Sequence, residues 1–146
     1  MTVQLLPQQD LAIAAWTWKA FKLSPVYINR AFGILDNSEL VGSIIFSNYN
    51  GSNLEVSYYA ENMITSGIVR AMARFILEVF HVQRVTFHIK RTDRRRLAKH
   101  LVHFGAKFEA CMRDYYGDGN DALQYVMFRR ELIKIAGPRY ARAKMH

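Results

Sequence analysis

Leu54-Glu55-Val56-Ser57-Tyr58-Tyr59, then Gly67-Ile68-Val69-Arg70-Ala71-Met72-Ala73-Arg74-Phe75-Ile76-Leu77-Glu78-Val79-Phe80, then Arg84-Val85-Thr86-Phe87-His88-Ile89-Lys90: these three runs decide the fold. The first alternates apolar with other residues and is rich in strand formers. The second repeats its large apolar residues Ile68, Met72, Phe75, Ile76 and Val79 at helical spacing. Thr65 or Ser66, just ahead of it, supplies a side-chain oxygen to cap the first turn. The third run is again a strand. Two strands joined by one helix are expected to be parallel, with a right-handed crossover. The helix start then points at the end of the first strand, where amides without a helical partner attract anions.

Working outward, Lys90 to Lys99 is the densest charge cluster and leads into a polar helix that ends at Gly105. Upstream, Ala31–Leu35, the turn cluster Asp36-Asn37-Ser38, Glu39–Ser47 and the tight turn at Asn50-Gly51 predict three antiparallel strands centred near Phe32, Val41 and Val56. Thr2–Leu6 reads as a short edge strand ended by Pro7. Gln8–Leu23 reads as a helix with Leu11, Ile13, Ala14, Trp16 and Phe21 among its apolar positions; Trp16 and Trp18 cannot share a face, so one belongs in the core. After Gly105 two strands close the sheet around a turn rich in glycine and aspartate, Gly117 to Asp121. The expected architecture is α/β: a single domain over residues 1–132, with a mixed central sheet of about six or seven strands flanked by helices. Residues 133–146 are expected to form a basic C-terminal tail.

Length and composition agree with one globule: 146 residues, 51% hydrophobic and 13% aromatic. No apolar run is long enough to cross a bilayer, and no signal-peptide layout opens the chain. The single cysteine, Cys111, excludes an internal disulfide and a cysteine-cluster metal site, and a reducing cytoplasm is the simplest compartment. His100 and His103, with His88 on the adjacent strand, have no carboxylate or further histidine at a supporting spacing, so no metal is expected. Ser57 and Ser66 have no histidine–acid constellation around them, so nucleophilic hydrolysis has no support. A net charge of +8 speaks for an anionic partner: a phosphate-bearing coenzyme, nucleic acid or an acidic protein.

The order strand, break, glycine, helix, strand, polar helix and Gly105 resembles the GCN5-related N-acetyltransferases, closest in layout to the branch that acetylates ribosomal-protein amino-termini. The resemblance covers roughly Ala31 to Leu132. In that family Gln/Arg-x-x-Gly-x-Gly/Ala at the helix start holds the pyrophosphate of acetyl-coenzyme A; here those positions are Ile64, Gly67 and Val69, and only the central glycine is kept. The next motif, Asn-x-x-Ser/Ala with a later Gly-Phe, falls on Arg94, Leu97, Gly105 and Ala106, again with only the glycine kept. The family's usual acid, a tyrosine seven residues after that asparagine, falls on Leu101.

The resemblance implies acetyl-coenzyme A (acetyl-CoA) as co-substrate and no metal. Its contacts would be Ser57, Tyr58, Ser66, Gly67, Ile68, Val69, Arg70, Arg94 and Arg95. It implies direct attack by an amine of a protein amino-terminus, a lysine or a small molecule, without a covalent enzyme intermediate. Glu55, on the strand feeding the cofactor turn, is the candidate base. Tyr116 is the candidate donor to the leaving thiolate, with Tyr115 and Tyr125 as substitutes. The alternative is an inactive acetyltransferase-fold module that binds an acidic protein or nucleic acid. The chain is expected to be a monomer or homodimer.

Overall fold

The computed structural model describes the backbone of residues 2–4, 9–21, 28–60 and 65–143, and their side chains except those of 2–4, 60, 93, 94, 96, 142 and 143. Seven strands are described: β1 (Thr2–Gln4), β2 (Arg30–Asp36), β3 (Glu39–Ser47), β4 (Asn53–Ala60), β5 (Arg84–Lys90), β6 (Lys107–Met112) and β7 (Ala122–Phe128). Five α-helices join or flank them: α1 (Asp10–Ala20), α2 (Ser66–Val79), α3 (Arg94–His103), α4 (Arg129–Ala136) and α5 (Arg139–Ala143). The strands form one sheet in the order β1-β2-β3-β4-β5-β7-β6. All neighbours are antiparallel except β4 and β5, the parallel pair joined through α2.

Strand alternation sorts side chains onto two faces. Phe32, Ile34, Ile44, Phe46, Leu54, Val56, Val85, Phe87, Tyr125 and Met127 fill the main core with Met72, Phe75 and Ile76 of α2 and Leu132 of α4. At its centre the Phe46 ring meets Phe32 at 5.5 Å and Phe75 at 5.1 Å between centroids. Burying one such ring stabilises the fold by about 1.5–3 kcal/mol. Val79, expected on the apolar stripe of α2, is 46% exposed. The chain turns extended at the next residue, and Phe80 packs inward on Phe46 and Tyr49 where another helical turn would have gone.

On the opposite face, Ile13 and Ala14 of α1 pack against Ala31 and Ile45. The Thr17 hydroxyl lies 2.6 Å from that of Ser43, so this polar pair is satisfied within the contact. Asp10 anchors the helix start by accepting from the Ala31 amide at 2.8 Å and from Arg30 Nε at 3.0 Å. Leu11, counted among the apolar positions, instead is 75% exposed, because the helix rests on the sheet along Ile13, Ala14 and Thr17. Trp16 and Trp18 are each half-buried, so neither is the expected core tryptophan. Pro7 and the ends of the expected first helix, Gln8, Lys22 and Leu23, lie outside the described residues.

At the C-terminal end, α4 runs through residue 132, where the domain was expected to give way to a tail. Ala136 and Tyr140 are in the main core, and the Tyr140 hydroxyl donates to Glu78 of α2 at 2.5 Å. Residues 144–146 lie outside the described part.

Candidate functional site

β4 and β5 pair in register from Asn53 with Arg84 to Val56 with Phe87, and no pairing is recorded beyond. Yet β4 continues to Ala60 and β5 to Lys90. Where the strands part, a narrow, largely apolar cleft opens between Val56 and Tyr58 on one side and Phe87, His88 and Ile89 on the other. Met72 of α2 and Leu97 and Leu101 of α3 close it from the helical side. On either side of the opening, β4 stays paired with β3 as far as Ala60, and β5 stays paired with β7 along its whole length.

Helix α2 follows β4 in the chain and contributes Met72 to the cleft wall. Thr65 is the cap, its hydroxyl accepting from the Ile68 amide at 3.2 Å, and the first internal bond runs from the Val69 amide to the Thr65 carbonyl at 3.1 Å. The amides of Ser66 and Gly67 precede that bond and so take part in no helical pairing. Ser66, Gly67 and Arg70 are exposed, while Ile68 and Val69 are buried. Gly67 has no left-handed backbone, and among the described residues a Cβ there would meet Thr65 Oγ1, at 3.8 Å. Neither conformation nor internal packing therefore demands a glycine, although glycine is the residue that weakens a helix most apart from proline. The first half of this turn, residues 61–64 with the motif position Ile64, is outside the described part.

The sheet face opposite α2 carries a polar ribbon on the alternate residues of the same strands. Glu55 is half-buried and accepts from Asn48 Nδ2 at 2.8 Å. The Tyr115 hydroxyl lies 3.5 Å from His88 Nδ1, with ring centroids 5.0 Å apart. His88 Nε2 lies 2.8 Å from Gln124 Oε1, Gln124 Nε2 donates to Glu109 at 2.6 Å, and Glu109 is paired with Arg84. Because Gln124 gives its amide hydrogen to the Glu109 carboxylate, its oxygen accepts from His88 Nε2–H. Neutral His88 then presents the Nδ1 lone pair to Tyr115. Partial burial pushes the Tyr115 pKa up, and the neighbouring Glu55 carboxylate and Tyr59 raise it further. Tyr59 is likewise raised by burial, against a smaller lowering from Ser57.

The residues singled out in the sequence fall into three groups. Tyr58 lines the cleft, whereas Ser57 and Glu55 point to the other face of the same strand. Ser66, Gly67, Ile68, Val69 and Arg70 form the first turns of α2. Arg94 and Arg95 open α3; Arg95 is exposed, and the side chain of Arg94 is not described. Of the tyrosines, Tyr125 is buried and edge-on to Phe108. Tyr116 lies behind Tyr115, edge-on to it at 4.9 Å and beneath Lys90 Nζ at 5.5 Å. Tyr115 is the tyrosine brought to His88 and within electrostatic reach of Glu55. Sequence reading missed Gln124 and Asn48 and weighed His88 only as a metal ligand. Their signal was the parity of Arg84, Thr86 and His88 along β5, which faces them away from the apolar Val85, Phe87 and Ile89.

No protein-family model matches the sequence, and no curated protein sequence does. Solved structures do match. An Ard1 from Thermoplasma volcanium superposes with a TM-score of 0.65 at 15% identity, over 87% of this chain and 96% of that one. A spermidine N-acetyltransferase SpeG chimera from Vibrio cholerae and hSSAT gives 0.63 at 15% identity, over 90% and 99%. A GCN5-related N-acetyltransferase from Brucella melitensis gives 0.62 at 15% identity, over 86% of this chain; this chain spans only 62% of that one. Two other acetyltransferase-fold neighbours are also longer, and this chain spans 66% of each. The fold is therefore that of the GCN5-related N-acetyltransferases. The likeness extends to several kinds of acetyltransferase and does not single out the ribosomal-protein branch.

Among the described residues no helix is long and apolar enough to cross a membrane, and no three His, Cys, Asp or Glu side chains are grouped to hold a metal.

Proposed function

We propose that this chain is an N-acetyltransferase that takes acetyl-CoA in the gap between β4 and β5 and transfers its acetyl group to an amine. The carrying observation is the parting of the two parallel strands after Val56 and Phe87, which opens an apolar cleft. The fit to the coenzyme is supported by Gly67, a glycine that its own chain does not require, set in open space at a helix start. There the amides of Ser66 and Gly67, with Arg70, suit a pyrophosphate, while those of Ile68 and Val69 are held by Thr65. Arg94 and Arg95 at the start of α3 suit a further phosphate, and Ser57 and Tyr58 flank the part of β4 beside the gap. Bound acetyl-CoA would supply an activated acetyl group as a thioester.

Within this reading Glu55, oriented by Asn48, takes the proton that an ammonium must lose before its nitrogen can attack. Tyr115 stays protonated well into alkaline solution because burial and Glu55 oppose its ionisation, which suits a donor. Tyr116, next to it, is the other candidate donor. The acceptor class includes protein amino-termini, lysine and small amines.

One observation favours the inactive alternative: Leu101, at the position of the family's usual acid, is 6% exposed and lines the cleft as an apolar wall. Thiol release from acetyl-CoA, followed with amino-terminal peptides, lysine peptides and polyamines in parallel, decides between the readings. Release above the hydrolysis blank with one acceptor class supports the transferase; coenzyme binding with no release from any class supports the inactive module.

A further inference from the structure

The chain's excess positive charge is concentrated in four of its helices. Helices α2, α3, α4 and α5 together carry eleven lysines and arginines against two carboxylates, a net of +9. The remaining nine cations and ten carboxylates leave the rest of the chain at −1, against a total of +8. These helices form one layer. Met72 of α2 and Leu101 of α3 share the cleft, Arg74 Nε of α2 donates to the Ala136 carbonyl of α4 at 3.0 Å, and Tyr140 of α5 reaches Glu78 of α2. Both carboxylates of the layer are engaged: Glu78 accepts from Tyr140, and Glu131, with a side chain 12% exposed, is paired with Arg130. Lys99, Arg130, Lys134 and Arg139 are exposed.

We infer that this helical layer is a docking surface for the phosphate backbone of a nucleic-acid duplex. The surface chemistry selects that partner. Arg130 and Lys134 stand four residues apart on α4 and so share one side of it, and Lys99 adds an exposed cation on α3 beyond those assigned to the coenzyme. The exposed large apolar side chains of the layer, among the described residues, are Val79 and Val102, and neither is aromatic. A single strand would need aromatic platforms on which its bases could stack. An acidic protein would need a buried aromatic or apolar anchor. A duplex backbone needs only cations at the surface, and it releases counterions when they bind. RNA and DNA duplexes share this chemistry.

The test uses the full chain and fluorescently labelled RNA and DNA duplexes of one sequence, read by anisotropy across a salt series. The triple change Lys99→Gln, Arg130→Gln and Lys134→Gln removes three cations from the layer; none of them is assigned to the coenzyme. A control triple, Lys19→Gln, Lys107→Gln and Arg113→Gln, removes three exposed cations elsewhere. The layer triple should lose at least about tenfold in duplex affinity and lower the salt slope by about two to three, while the control loses under about threefold. Thermal melts of both variants establish that folding is intact. Whichever duplex binds more tightly identifies the source of the backbone. Equal losses in the two triples, no binding of either duplex in about 50 mM salt, or poly-glutamate binding as tightly as the duplexes would each overturn the inference. The result does not depend on whether acetyl-CoA binds.

Discussion

Val56 and Phe87 are the last residues paired between β4 and β5, although both strands run on for three or four residues more. Where neighbouring strands part inside a sheet, their facing backbone edges lose ladder bonds to each other, so something must gain from keeping the gap open. In this protein the gain is assigned to the coenzyme. Filling the cleft without disturbing its walls should therefore hurt binding first. Leu97→Trp, at a half-buried cleft position, should weaken acetyl-CoA at least tenfold, about 1.4 kcal/mol, in calorimetric titration. Unchanged affinity would remove the cleft from the binding site.

Gly67 separates stability from function. With an unstrained backbone and room for a Cβ, Gly67→Ala should raise stability by up to about 1 kcal/mol in a denaturant melt. The same methyl group should weaken coenzyme binding by crowding the approach to the Ser66 and Gly67 amides. A variant that is stabilised and binds as tightly as before would show that the glycine serves no ligand.

Gly105 should behave in the opposite way. Its φ of +103° is hostile to other residues, and a Cβ would sit 2.7 Å from Glu131 Cγ. Gly105→Ala should destabilise the protein by about 1–3 kcal/mol, from strain and overpacking together. Adding Glu131→Ala should recover only the packing part, as a double-mutant cycle in urea would register.

Glu55→Gln should lower turnover strongly and leave coenzyme affinity nearly unchanged, because the side chain lies on the face away from the cleft. Tyr115→Phe and Tyr116→Phe, compared in the same assay, distinguish the two candidate donors. The variant with the larger fall in kcat marks the residue in contact with the leaving group.

Two carboxylates predict an acid limit to stability. The Arg84 guanidinium holds Glu109 below the usual carboxylate range, and the Asp114 amide, then Arg91, does the same for Asp121. A folded pKa below the unfolded one gives stabilisation that is present above about pH 4 and lost as the pH falls through the folded value. Asp121→Asn should therefore be less stable than the parent at pH 7, and the gap should narrow at pH 3 in urea melts. A gap independent of pH would mean that the carboxylate charge contributes nothing.

Alternation and helical spacing made the three-strand meander, the β4–α2–β5 unit and β7 legible, because each buries one face on a shared core; β6 has no buried residue and was read from the glycine- and aspartate-rich turn that joins it to β7. The cap of α2 was narrowed by position to Thr65 or Ser66, and the structure makes it Thr65. The end of α2 was not: whether Val79 or Phe80 turns inward depends on Phe46 and Tyr49, far away in sequence. Nor was the choice between Tyr115 and Tyr116, since a turn whose Asp114 has positive φ decides which ring faces β5. His88 was weighed as a metal ligand because its partner Gln124 is 36 residues distant and visible only through the β5–β7 register.

The most direct test of the central claim is a thermal-shift titration of the intact protein with acetyl-CoA and with free CoA. Occupation of the gap by the coenzyme predicts a melting temperature that climbs with the logarithm of ligand concentration, equivalent to about 2.7 kcal/mol at one hundred times the dissociation constant. A melting temperature that stays flat through millimolar coenzyme would contradict it.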